Sequence, residues 1–501
     1  MQRAPRSWKP IALRGSFSVQ EESLSVPSQA MSTEIPQRQH SEEELRSACE
    51  RYDQEHLLRH WDDLDEDGRS QLADQIRAVD LDHVQALGRI LERNGQAEGG
   101  HFEPPEVFPL ERDRAQQERA REAVAAGEEI LARGAVGFLL VAGGQASRLG
   151  YDGPKGAFPV GPVSGRSLFE FHARRLLATA RRYGTRTPFY VMTSPTNDGA
   201  TRRFFEQNEH FGLPAEDVFF FTQSMLPALD ETGRVMMSAP DALFLAPDGH
   251  GGVLPALRDS GWLADALERG LEHLSYFQVD NPLVRPTDPL FIGLHALAGA
   301  GMSSKVVSKS DPDEKVGVLG KVDGRLGCIE YSDLPADLRD ARDENGSLLF
   351  RAGNVAVHVL RTEFVDEITR DGLKLPWHVA RKKIRTIDEG GRETECTGFK
   401  FEAFVFDALG FSTDCVTLEV AREREFSPVK NADGGDSPET ARRSLCDLHA
   451  SWARAAGLEL PPAGEDGVVC VEVDPLLADT ADDLAAAEPR LIRNESGLLY
   501  E

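Results

Sequence analysis

A chain of 501 residues is longer than one hydrophobic core usually organises, so its length predicts two or three domains. Its formal net charge of −27 excludes general binding to nucleic acid or acidic membranes, and its longest apolar runs, such as 135–142, are too short to cross a bilayer. The first 30 residues lack an apolar core of signal-peptide length, and the six cysteines are dispersed without metal-ligand spacing. We therefore expect a cytoplasmic protein with reduced thiols rather than a zinc site or a disulfide framework.

The N-terminal fifth of the chain divides into a tail and a helical region. Residues 1–40 are rich in Ser, Gln and Pro, which predicts a disordered tail that contains an alternative start at Met31. Residues 41–110 are predicted to form an N-terminal helical region, because segments 54–61 and 78–92 place apolar residues at helical spacing. Glycines and prolines then mark a linker at the end of this region.

Residues 111–420 have the pattern of an α/β domain. A helix is predicted over 111–133, after which short apolar runs alternate with helical stretches. Runs that are apolar on both faces and separated by helices indicate a parallel sheet covered on both sides. These runs are 136–142, 188–194, 217–221 and 275–279.

Two further patterns predict β-structure beyond these runs. Residues 315–331 predict a hairpin that turns at Asp323-Gly324. Residues 421–501 predict a C-terminal domain, in which a helix near 438–456 precedes a small β-rich tail around 467–474.

A glycine-rich loop follows the first of the apolar runs. The missing side chains of Gly143 and Gly144 let backbone N–H groups approach a ligand closely. Arg148 and Lys155 lie seven residues apart in this loop, and the stretch 143–166 holds three basic residues but a single acid. In so acidic a chain, this local excess of positive charge favours a polyphosphate site.

The alternative interpretation is a tight strand-to-helix turn with its Arg and Lys side chains in solvent. The two commonest phosphate-binding motifs, GxxxxGK[ST] and GxGxxG, are both absent from this loop, so it belongs to neither class. The loop ends at a helix that we expect to begin with an S-x-x-E capping box formed by Ser167 and Glu170.

The sequence GGQASRLG at 143–150, followed by GPKG at 153–156, resembles the signature loop of the eukaryotic-type UDP-N-acetylhexosamine pyrophosphorylases, within the larger UDP-sugar pyrophosphorylase family. The resemblance continues in chain order over about residues 45–490. Its further segments are QEHLLRHW at 54–61, FFTQSMLPAL at 220–229, APDGHGG at 246–252, FQVDNPLVRPTDP at 277–289, CIEYSD at 328–333, AGNVAVHVL at 352–360, FKFEAFVFD at 399–407 and EFSPVKNADG at 425–434.

This resemblance implies a fold and an activity. The fold is α/β: a Rossmann-like nucleotidyltransferase domain (GT-A-like) over 111–420 with a mixed, mainly parallel sheet, a helical N-terminal extension and a small β-rich C-terminal domain. The activity is that of a uridylyltransferase that joins UTP to N-acetylglucosamine 1-phosphate or glucose 1-phosphate by in-line attack on the α-phosphorus. The implied partners are these small molecules, without nucleic acid or membrane, and the oligomeric state stays open.

The resemblance also implies residues that bind UTP. Arg148 and Lys155 match the pair that holds the triphosphate and offsets charge on the leaving pyrophosphate. Gln223 matches a residue that reads the uracil edge, and Asp280 matches the aspartate that binds Mg²⁺. The remaining matched UTP-binding residues are Val141, Ala142, Gly143, Gly144, Gly249 and Lys400.

On the sugar-phosphate side, Glu330 and Asn354 match residues that bind sugar hydroxyls, and Lys430 matches a catalytic lysine on the sugar phosphate. One departure concerns His250, because the hexosamine enzymes typically carry Asn in a GNGG turn where this chain has GHGG at 249–252. A His there is similar to the GHG element of UDP-glucose and broad-specificity UDP-sugar pyrophosphorylases and puts a preference for N-acetylated sugars in question. Phe404 and Phe406 alternate along an apparent strand, which favours core packing over sugar contact.

Two other functions are alternatives to this one. A UDP-sugar-dependent glycosyltransferase usually shows a DxD pair of carboxylates, whereas residues 280–282 are Asp-Asn-Pro. A non-catalytic nucleotide-sugar-binding protein predicts loss of the phosphate lysines or of Asp280, and all of these are present.

Overall fold

The computed structural model describes residues 42–93, 101–309, 311–331 and 333–501. The tail predicted over 1–40 and the alternative start at Met31 lie outside the described residues. The helices of the described ranges are α1 (Glu42–Arg51), α2 (Glu66–Ala78), α3 (Leu81–Arg93), α4 (Arg114–Ala132), α5 (Leu168–Tyr183), α6 (Asp198–Gln207), α7 (Val253–Asp259), α8 (Trp262–Glu268), α9 (Pro289–Ala298), α10 (Ala336–Arg339), α11 (Thr362–Thr369), α12 (Arg422–Glu425), α13 (Pro438–Ala455) and α14 (Ala481–Ala486). The strands are β1 (Phe102–Glu103), β2 (Val136–Val141), β3 (Phe189–Thr193), β4 (Val218–Thr222), β5 (Met225–Pro227), β6 (Met237–Ala239), β7 (Ala242–Leu243), β8 (Leu245–Pro247), β9 (His273–Gln278), β10 (Met302–Ser308), β11 (Val318–Val322), β12 (Arg325–Ile329), β13 (Ala352–Arg361), β14 (His378–Ile387), β15 (Glu393–Glu402), β16 (Thr417–Val420), β17 (Val471–Val473), β18 (Leu491–Asn494) and β19 (Gly497–Tyr500).

A ten-stranded mixed sheet organises the middle of the chain. Its main path runs β1-β11-β13-β9-β2-β3-β4, with β10 beside β13, β16 beside β10 and β12 beside β11. The four apolar runs expected to form a parallel sheet are β2, β3, β4 and β9, and these strands are parallel neighbours. The pairing of β13 with β9 is antiparallel. The predicted α/β fold with a mixed sheet is therefore confirmed, with the parallel pairs concentrated in one half.

Strand β2 shows why the run is apolar on both faces. Phe138 and Leu140 pack in one core, which contains residues of α5 and α9, whereas Leu139 packs in the core of the opposite face. All three side chains are buried, and full burial of such a side chain stabilises the fold by about 1.5–3 kcal/mol. A polar residue in this strand would therefore lie in one core or the other.

The predicted hairpin is formed by β11 and β12, which pair in antiparallel fashion from Val318 to Ile329. Its turn residues Asp323 and Gly324 both have positive φ, 49° and 79°, as a two-residue primed turn requires. The hairpin prediction and its turn are therefore confirmed.

The capping box predicted at the start of α5 forms only in part. The Ser167 side chain accepts a hydrogen bond from the Glu170 N–H at 3.2 Å, as an N-cap should. The Glu170 carboxylate, however, accepts from Arg166 Nε at 3.0 Å instead of returning to the backbone of Ser167. The nearby guanidinium is the stronger partner for a carboxylate, so the reciprocal half of the box is lost.

The N-terminal helices pack against the middle of the chain. Leu57, Leu72 and Val84 share a core with Leu229 and Phe401. The predicted helical segment 78–92 coincides with α3, whereas the segment 54–61 forms short 3-10 turns. The described part of the predicted linker adds β1 to the edge of the sheet, next to β11. The domain boundaries at 41–110, 111–420 and 421–501 stay predictions.

The C-terminal residues form the small β-rich region that the sequence predicts. The helix expected near 438–456 is α13, and β17, β19 and β18 form a three-stranded sheet against it. The buried Glu472 of β17 accepts hydrogen bonds from the N–H groups of Val163 and Ser164, both at 2.9 Å. The C-terminal sheet thereby holds the turn that follows the glycine-rich loop. Over the described ranges, no helix has the length and apolar character needed to cross a membrane.

Candidate active site

The carboxyl ends of four parallel strands meet at one edge of the sheet, where open α/β sheets place their ligand-binding groups. The glycine-rich loop follows β2, Gln223 follows β4 and Asp280 follows β9. Three features that lie far apart in the sequence are therefore neighbours in space. The loop residues expected to contact UTP stand at the end of β2 or directly after it: Val141, Ala142, Gly143 and Gly144.

The glycine-rich loop is held by Asn197, a residue that sequence reasoning missed. Its buried Nδ2 donates hydrogen bonds to the carbonyls of Ala142 at 2.9 Å and Gly144 at 3.1 Å. The Lys155 N–H donates to the same Gly144 carbonyl at 3.0 Å. These bonds fix the course of the loop. From the sequence, Asn197 could be identified only as a candidate N-cap of α6, and its side chain makes no such bond.

Gln223 packs directly on this loop. Its side chain is buried, and a Cβ added at Gly143 would lie 2.5 Å from Gln223 Oε1. Only glycine at 143 therefore leaves the amide in place. Gln223 N–H donates to the carbonyl of Thr193 at the end of β3, at 3.0 Å. This bond anchors the backbone of Gln223, whose side-chain amide can donate and accept at once, as recognition of a base edge requires.

An ion pair joins the loop to the end of β9. Lys155 Nζ lies 3.2 Å from Asp280 Oδ2, and the two side chains are only 18 % and 12 % exposed. Because partial burial weakens the screening of charges by water, this pair is stronger than an exposed one. A cation and a carboxylate thus lie in contact at the carboxyl edge of the parallel strands.

The segment before Lys430 is bonded to the segment that carries Asp280. Val429 N–H donates to the Asp280 carbonyl at 2.9 Å, and Ser427 N–H donates to Asn281 Oδ1 at 3.1 Å. Because Asn281 directly follows Asp280, these bonds place Lys430 at the end of β9 although the two loops are about 150 residues apart in the sequence.

A small cavity of about 70 Å³ brings three of the expected site residues together: Asp280, Asn354 and Lys430. Phe426 forms part of its wall, and the Lys430 ammonium lies 5.7 Å from the centre of that ring. The Lys430 side chain is half exposed, and its Nζ lies 3.4 Å from Asp436 Oδ2. It can therefore turn toward an anion at modest cost, since exposed ion pairs are weak.

Two expected phosphate ligands lie outside these contacts. Arg148 is exposed on the short turn Ser147–Leu149 of the glycine-rich loop. Lys400 lies on β15 with its Nζ 5.0 Å from the ring centre of Phe244. Within the described ranges, no hydrogen bond or ion pair joins either side chain to the Lys155–Asp280 pair.

Cys328 lies beside both Glu330 and Asn354. Asn354 Nδ2 is 3.7 Å from Cys328 Sγ, and its Oδ1 accepts from the Ala356 N–H at 3.0 Å. Pairing of β13 with β10 shifts register just here, and Ala356 has a positive φ of 54°. Such an irregularity re-aims side chains beside a site. Burial raises the pKa of Glu330, and the nearby negative charge of Asp333 raises it further.

His250 is packed against an aromatic segment. It follows Gly249, whose φ of 87° favours glycine, and its Nδ1 accepts from the Val405 N–H at 3.2 Å. The His250 ring stacks on Phe404 at 5.2 Å and meets the edge of Phe406 at 5.4 Å. Burial lowers the pKa of His250 to about 4, so the ring is neutral and carries its proton on Nε2.

The expectation that Phe404 and Phe406 alternate along a strand was wrong. Strand β15 ends at Glu402, and residues 405–411 form 3-10 turns. Phe406 is buried, as expected for a core residue, whereas Phe404 is partly exposed between two histidine rings. The short run of apolar residues here could not distinguish a strand from a tight helical turn.

One of those rings belongs to His378, which sequence reasoning also missed. Its Nε2 lies 2.7 Å from Asp407 Oδ2, and its ring lies 4.4 Å from that of Phe404. Burial opposes protonation of His378, but the hydrogen bond and charge of Asp407, aided by the charge of Glu330, raise its pKa above the ordinary value. Asp407 ends the FKFEAFVFD segment, the only signal that the sequence offers for this pair.

A third missed residue is Asp248, directly before the GHGG turn. Its carboxyl group is buried, and its Oδ1 has no hydrogen-bond partner among the described residues. Its oxygens lie against Gly252, where any Cβ would clash with them. Burial raises the pKa of Asp248 to about 7.

Comparison with known proteins shows which families and structures this chain resembles. The family model described as UTP–glucose-1-phosphate uridylyltransferase matches residues 89–441. The human UDP-N-acetylhexosamine pyrophosphorylase-like protein 1 is 37 % identical over 89 % of this chain and 94 % of its own. The Arabidopsis thaliana UDP-N-acetylglucosamine diphosphorylase 1 is 35 % identical over 87 % and 88 %. The crystal structure of the uridine diphosphate N-acetylglucosamine pyrophosphorylase from Trypanosoma brucei, in complex with inhibitor, has a TM-score of 0.76 at 30 % identity and covers 88 % and 94 %.

Proposed function

The chain belongs to the UTP–glucose-1-phosphate uridylyltransferase family, and we propose that it joins UTP to N-acetylglucosamine 1-phosphate, releasing pyrophosphate and the UDP-sugar. The resemblance to the eukaryotic-type hexosamine enzymes is confirmed, and the chain is a UTP:sugar-1-phosphate uridylyltransferase whose partners are small-molecule substrates. Its relatives are named as pyrophosphorylases, which leaves the glycosyltransferase and non-catalytic alternatives without support. The N-acetylated sugar is proposed from the names of these relatives.

Glucose 1-phosphate is the second candidate substrate, and His250 is the observation that favours it. A histidine packed between Phe404 and Phe406 presents a ring where an asparagine amide would suit an acetamido group. The structural neighbours named as UDP-glucose pyrophosphorylases are 15–17 % identical and share only the fold. They therefore do not decide between the two sugars.

The site residues act by holding and neutralising two anions. In-line transfer of a uridylyl group needs the sugar-phosphate oxygen aligned with the α-phosphorus, and this needs little covalent help from the protein. Lys155 and Arg148 are proposed to hold the triphosphate, with Lys400 as a further phosphate ligand. Gln223 is proposed to read uracil from its place on Gly143, and Gly249 completes the nucleotide contacts.

The sugar phosphate is proposed to bind between Lys430, Glu330 and Asn354. The observation that carries this proposal is the cavity that joins Lys430 and Asn354 to Asp280, beside the Lys155 ammonium. In that position Lys430 offsets the charge of the attacking phosphate while Lys155 offsets that of the departing pyrophosphate. Preorganised charges of this kind stabilise the transition state more than the ground state.

Enzymes of this nucleotidyltransferase family generally use a divalent metal ion, and magnesium is the ion proposed for this chain. The described residues contain no cluster of three or more potential ligands, but Asp280 supplies one carboxylate at the phosphate edge. One carboxylate with substrate phosphates is the set of ligands that Mg²⁺ usually takes. The bound ion would neutralise phosphate charge there.

The cytoplasm is the proposed location, because all six cysteines are free thiols.

The test is an assay of the purified protein with UTP, Mg²⁺ and a panel of sugar 1-phosphates, scored by release of pyrophosphate. Release with N-acetylglucosamine 1-phosphate above that with glucose 1-phosphate supports the first candidate, and the reverse order supports the second. Absence of release with every sugar, from folded protein, would contradict the uridylyltransferase assignment.

A further inference from the structure

Two cysteines outside the active site face each other. Cys446 lies on α13 and Cys470 lies directly before β17. The Cys446 thiol donates a hydrogen bond to Cys470 Sγ at 3.5 Å. Formation of an S–S bond of about 2.05 Å therefore requires a small movement of the side chains. Nothing in the sequence spacing predicts this pair, because the two residues are brought together by the packing of the C-terminal sheet on α13.

Both thiols line a groove that is open to small molecules. The groove has a volume of about 680 Å³ and runs between α13, the Pro461-Pro462 segment and the turn before β19. This volume is typical of sites that admit small ligands. Cys446 is 2 % exposed, whereas Cys470 is partly exposed. A reagent in the groove would therefore reach Cys470 first.

The two thiols also differ in acidity. The hydrogen bond from Cys446 lowers the pKa of Cys470, against the effects of burial and of the nearby Glu472 and Asp466. The same contact, together with burial, raises the pKa of Cys446. Because the thiolate is the attacking species in exchange with disulfides, Cys470 is the better nucleophile of the pair.

We propose that Cys446 and Cys470 form a reversible dithiol–disulfide site that exchanges with low-molecular-weight disulfides of the glutathione class. The Cys470 thiolate attacks one sulfur of the small disulfide, forms a mixed disulfide and releases one thiolate. Cys446 then gives up its proton and attacks Cys470 Sγ, which expels the second thiolate. Two protein thiols are oxidised to one disulfide, and one small disulfide is reduced to two thiols.

The bond would connect two elements that contact the catalytic half of the molecule. Cys470 stands two residues before Glu472, whose carboxylate holds the turn at Val163 and Ser164 after the glycine-rich loop. Helix α13 begins shortly after Lys430. Oxidation would therefore stiffen the junction between the C-terminal sheet and this turn, without placing either cysteine in the active site.

The test exposes folded full-length protein to glutathione buffers of graded redox potential, followed by alkylation and peptide mass spectrometry. As the buffer becomes oxidising, we expect two of the six thiols to be protected together, a linked pair of peptides containing Cys446 and Cys470, and recovery of both thiols with reductant. In Cys446→Ser, Cys470 should accumulate a mixed disulfide with glutathione, whereas Cys446 in Cys470→Ser should stay reduced. Cys415→Ser, which removes a thiol that donates to the carbonyls of Leu409 and Ser412, is the matched control and should behave as wild type.

The wild-type peptides decide the matter even if a serine variant fails to fold. Full alkylation of Cys446 and Cys470 in a fully oxidising buffer would overturn the proposal. So would equal capture of glutathione by the two single-serine variants, because the order of attack depends on Cys470 being the exposed thiol.

Discussion

The proposed phosphate side of the site and its proposed sugar side are built differently. The phosphate side consists of the glycine-rich loop with Lys155 and Asp280, and it is organised by an ion pair of opposite charges at 3.2 Å. The sugar side consists of the GHGG turn with Glu330, Asn354 and residues 404–407. Burial is the main cause of the pKa shifts of its carboxyl groups. Burial raises the pKa of Glu330 there and raises that of Asp248 to about 7.

The difference matches the two kinds of ligand. Phosphates are bound by fixed positive charge and by backbone N–H groups, which a short loop can supply in one stretch of sequence. Sugar hydroxyls are bound by hydrogen bonds from groups that point inward from several segments. Neutral or weakly acidic groups are suited to that task, since they can donate as well as accept. The phosphate side should therefore control the rate of transfer, and the sugar side the choice of substrate.

The largest effect is expected at Lys155. Lys155→Ala removes a charge that is proposed to offset the leaving pyrophosphate, and kcat should fall by on the order of a hundredfold or more. The variant leaves Asp280 without its ion-pair partner, so circular dichroism and thermal unfolding should accompany the kinetics. Lys382→Ala, at an exposed lysine of β14, is the matched control and should keep wild-type activity. Near-normal turnover of folded Lys155→Ala would remove this residue from the mechanism.

The strands and the loop that form this proposed phosphate side are the part of the structure that the sequence predicts best. The strands β2, β3, β4 and β9 could be located because their residues are apolar on both faces over one short run each. Gly143, Gly144 and Lys155 could be picked out because they lie in one basic loop of an acidic chain. A site of this kind can be predicted from the sequence when the residues that form it lie in one short segment.

The rest could not be predicted because it depends on contacts between distant segments. Asn197 acts through carbonyls more than 50 residues away. His378 and Asp407 are 29 residues apart, and their pairing depends on the path of β14 and β15. The strands β14 and β15 carry many charged residues, because most of their side chains are partly or fully exposed, and so they lack the apolar run that identifies β2.

The second effect concerns Asp280 and the metal. Asp280→Asn keeps the size of the side chain but removes the charge that would hold Mg²⁺ among phosphates, so kcat/KM should fall by roughly ten- to a hundredfold. Raising Mg²⁺ or adding Mn²⁺ should restore part of the activity. The measurement is a metal titration of both proteins at fixed UTP. Wild-type activity that is undiminished in excess EDTA would rule out the metal assignment.

A third effect concerns how stability depends on pH through the carboxyl group of Asp248. Asp280 pairs with Lys155, whereas no ion pair among the described residues involves the buried Asp248. Its folded-state pKa of about 7 lies above the ordinary value of 3.8, so the protonated form is favoured in the folded protein. The resulting stabilisation is fully present below pH 3.8 and is lost as the pH rises through 7. Relative to Asp248→Asn, the wild-type free energy of unfolding should therefore fall between pH 4 and pH 8, by about 4 kcal/mol in total. Denaturant unfolding at several pH values measures this. The exposed Asp259→Asn should show no such dependence, and parallel curves for wild type and Asp248→Asn would mean that water or another group satisfies the carboxylate.

The smallest effect is expected at His250, where the sugar side is proposed to select its substrate. The ring is stacked on Phe404, and its Nδ1 is already used by the Val405 N–H, so only Nε2 is left to donate to a sugar. An acetamido group needs more space and an amide-like partner, which asparagine supplies. One mispaired polar contact costs about 1–3 kcal/mol, and His250→Asn should shift the ratio of kcat/KM toward N-acetylglucosamine 1-phosphate by about tenfold. The KM for UTP should change little, because this residue lies on the sugar side. His250→Gln serves as the matched control, since it restores an amide at a different reach and should shift the ratio less. An unchanged ratio in His250→Asn would move the choice of sugar to Glu330 and Asn354, and a changed KM for UTP would show that the two sides are not independent.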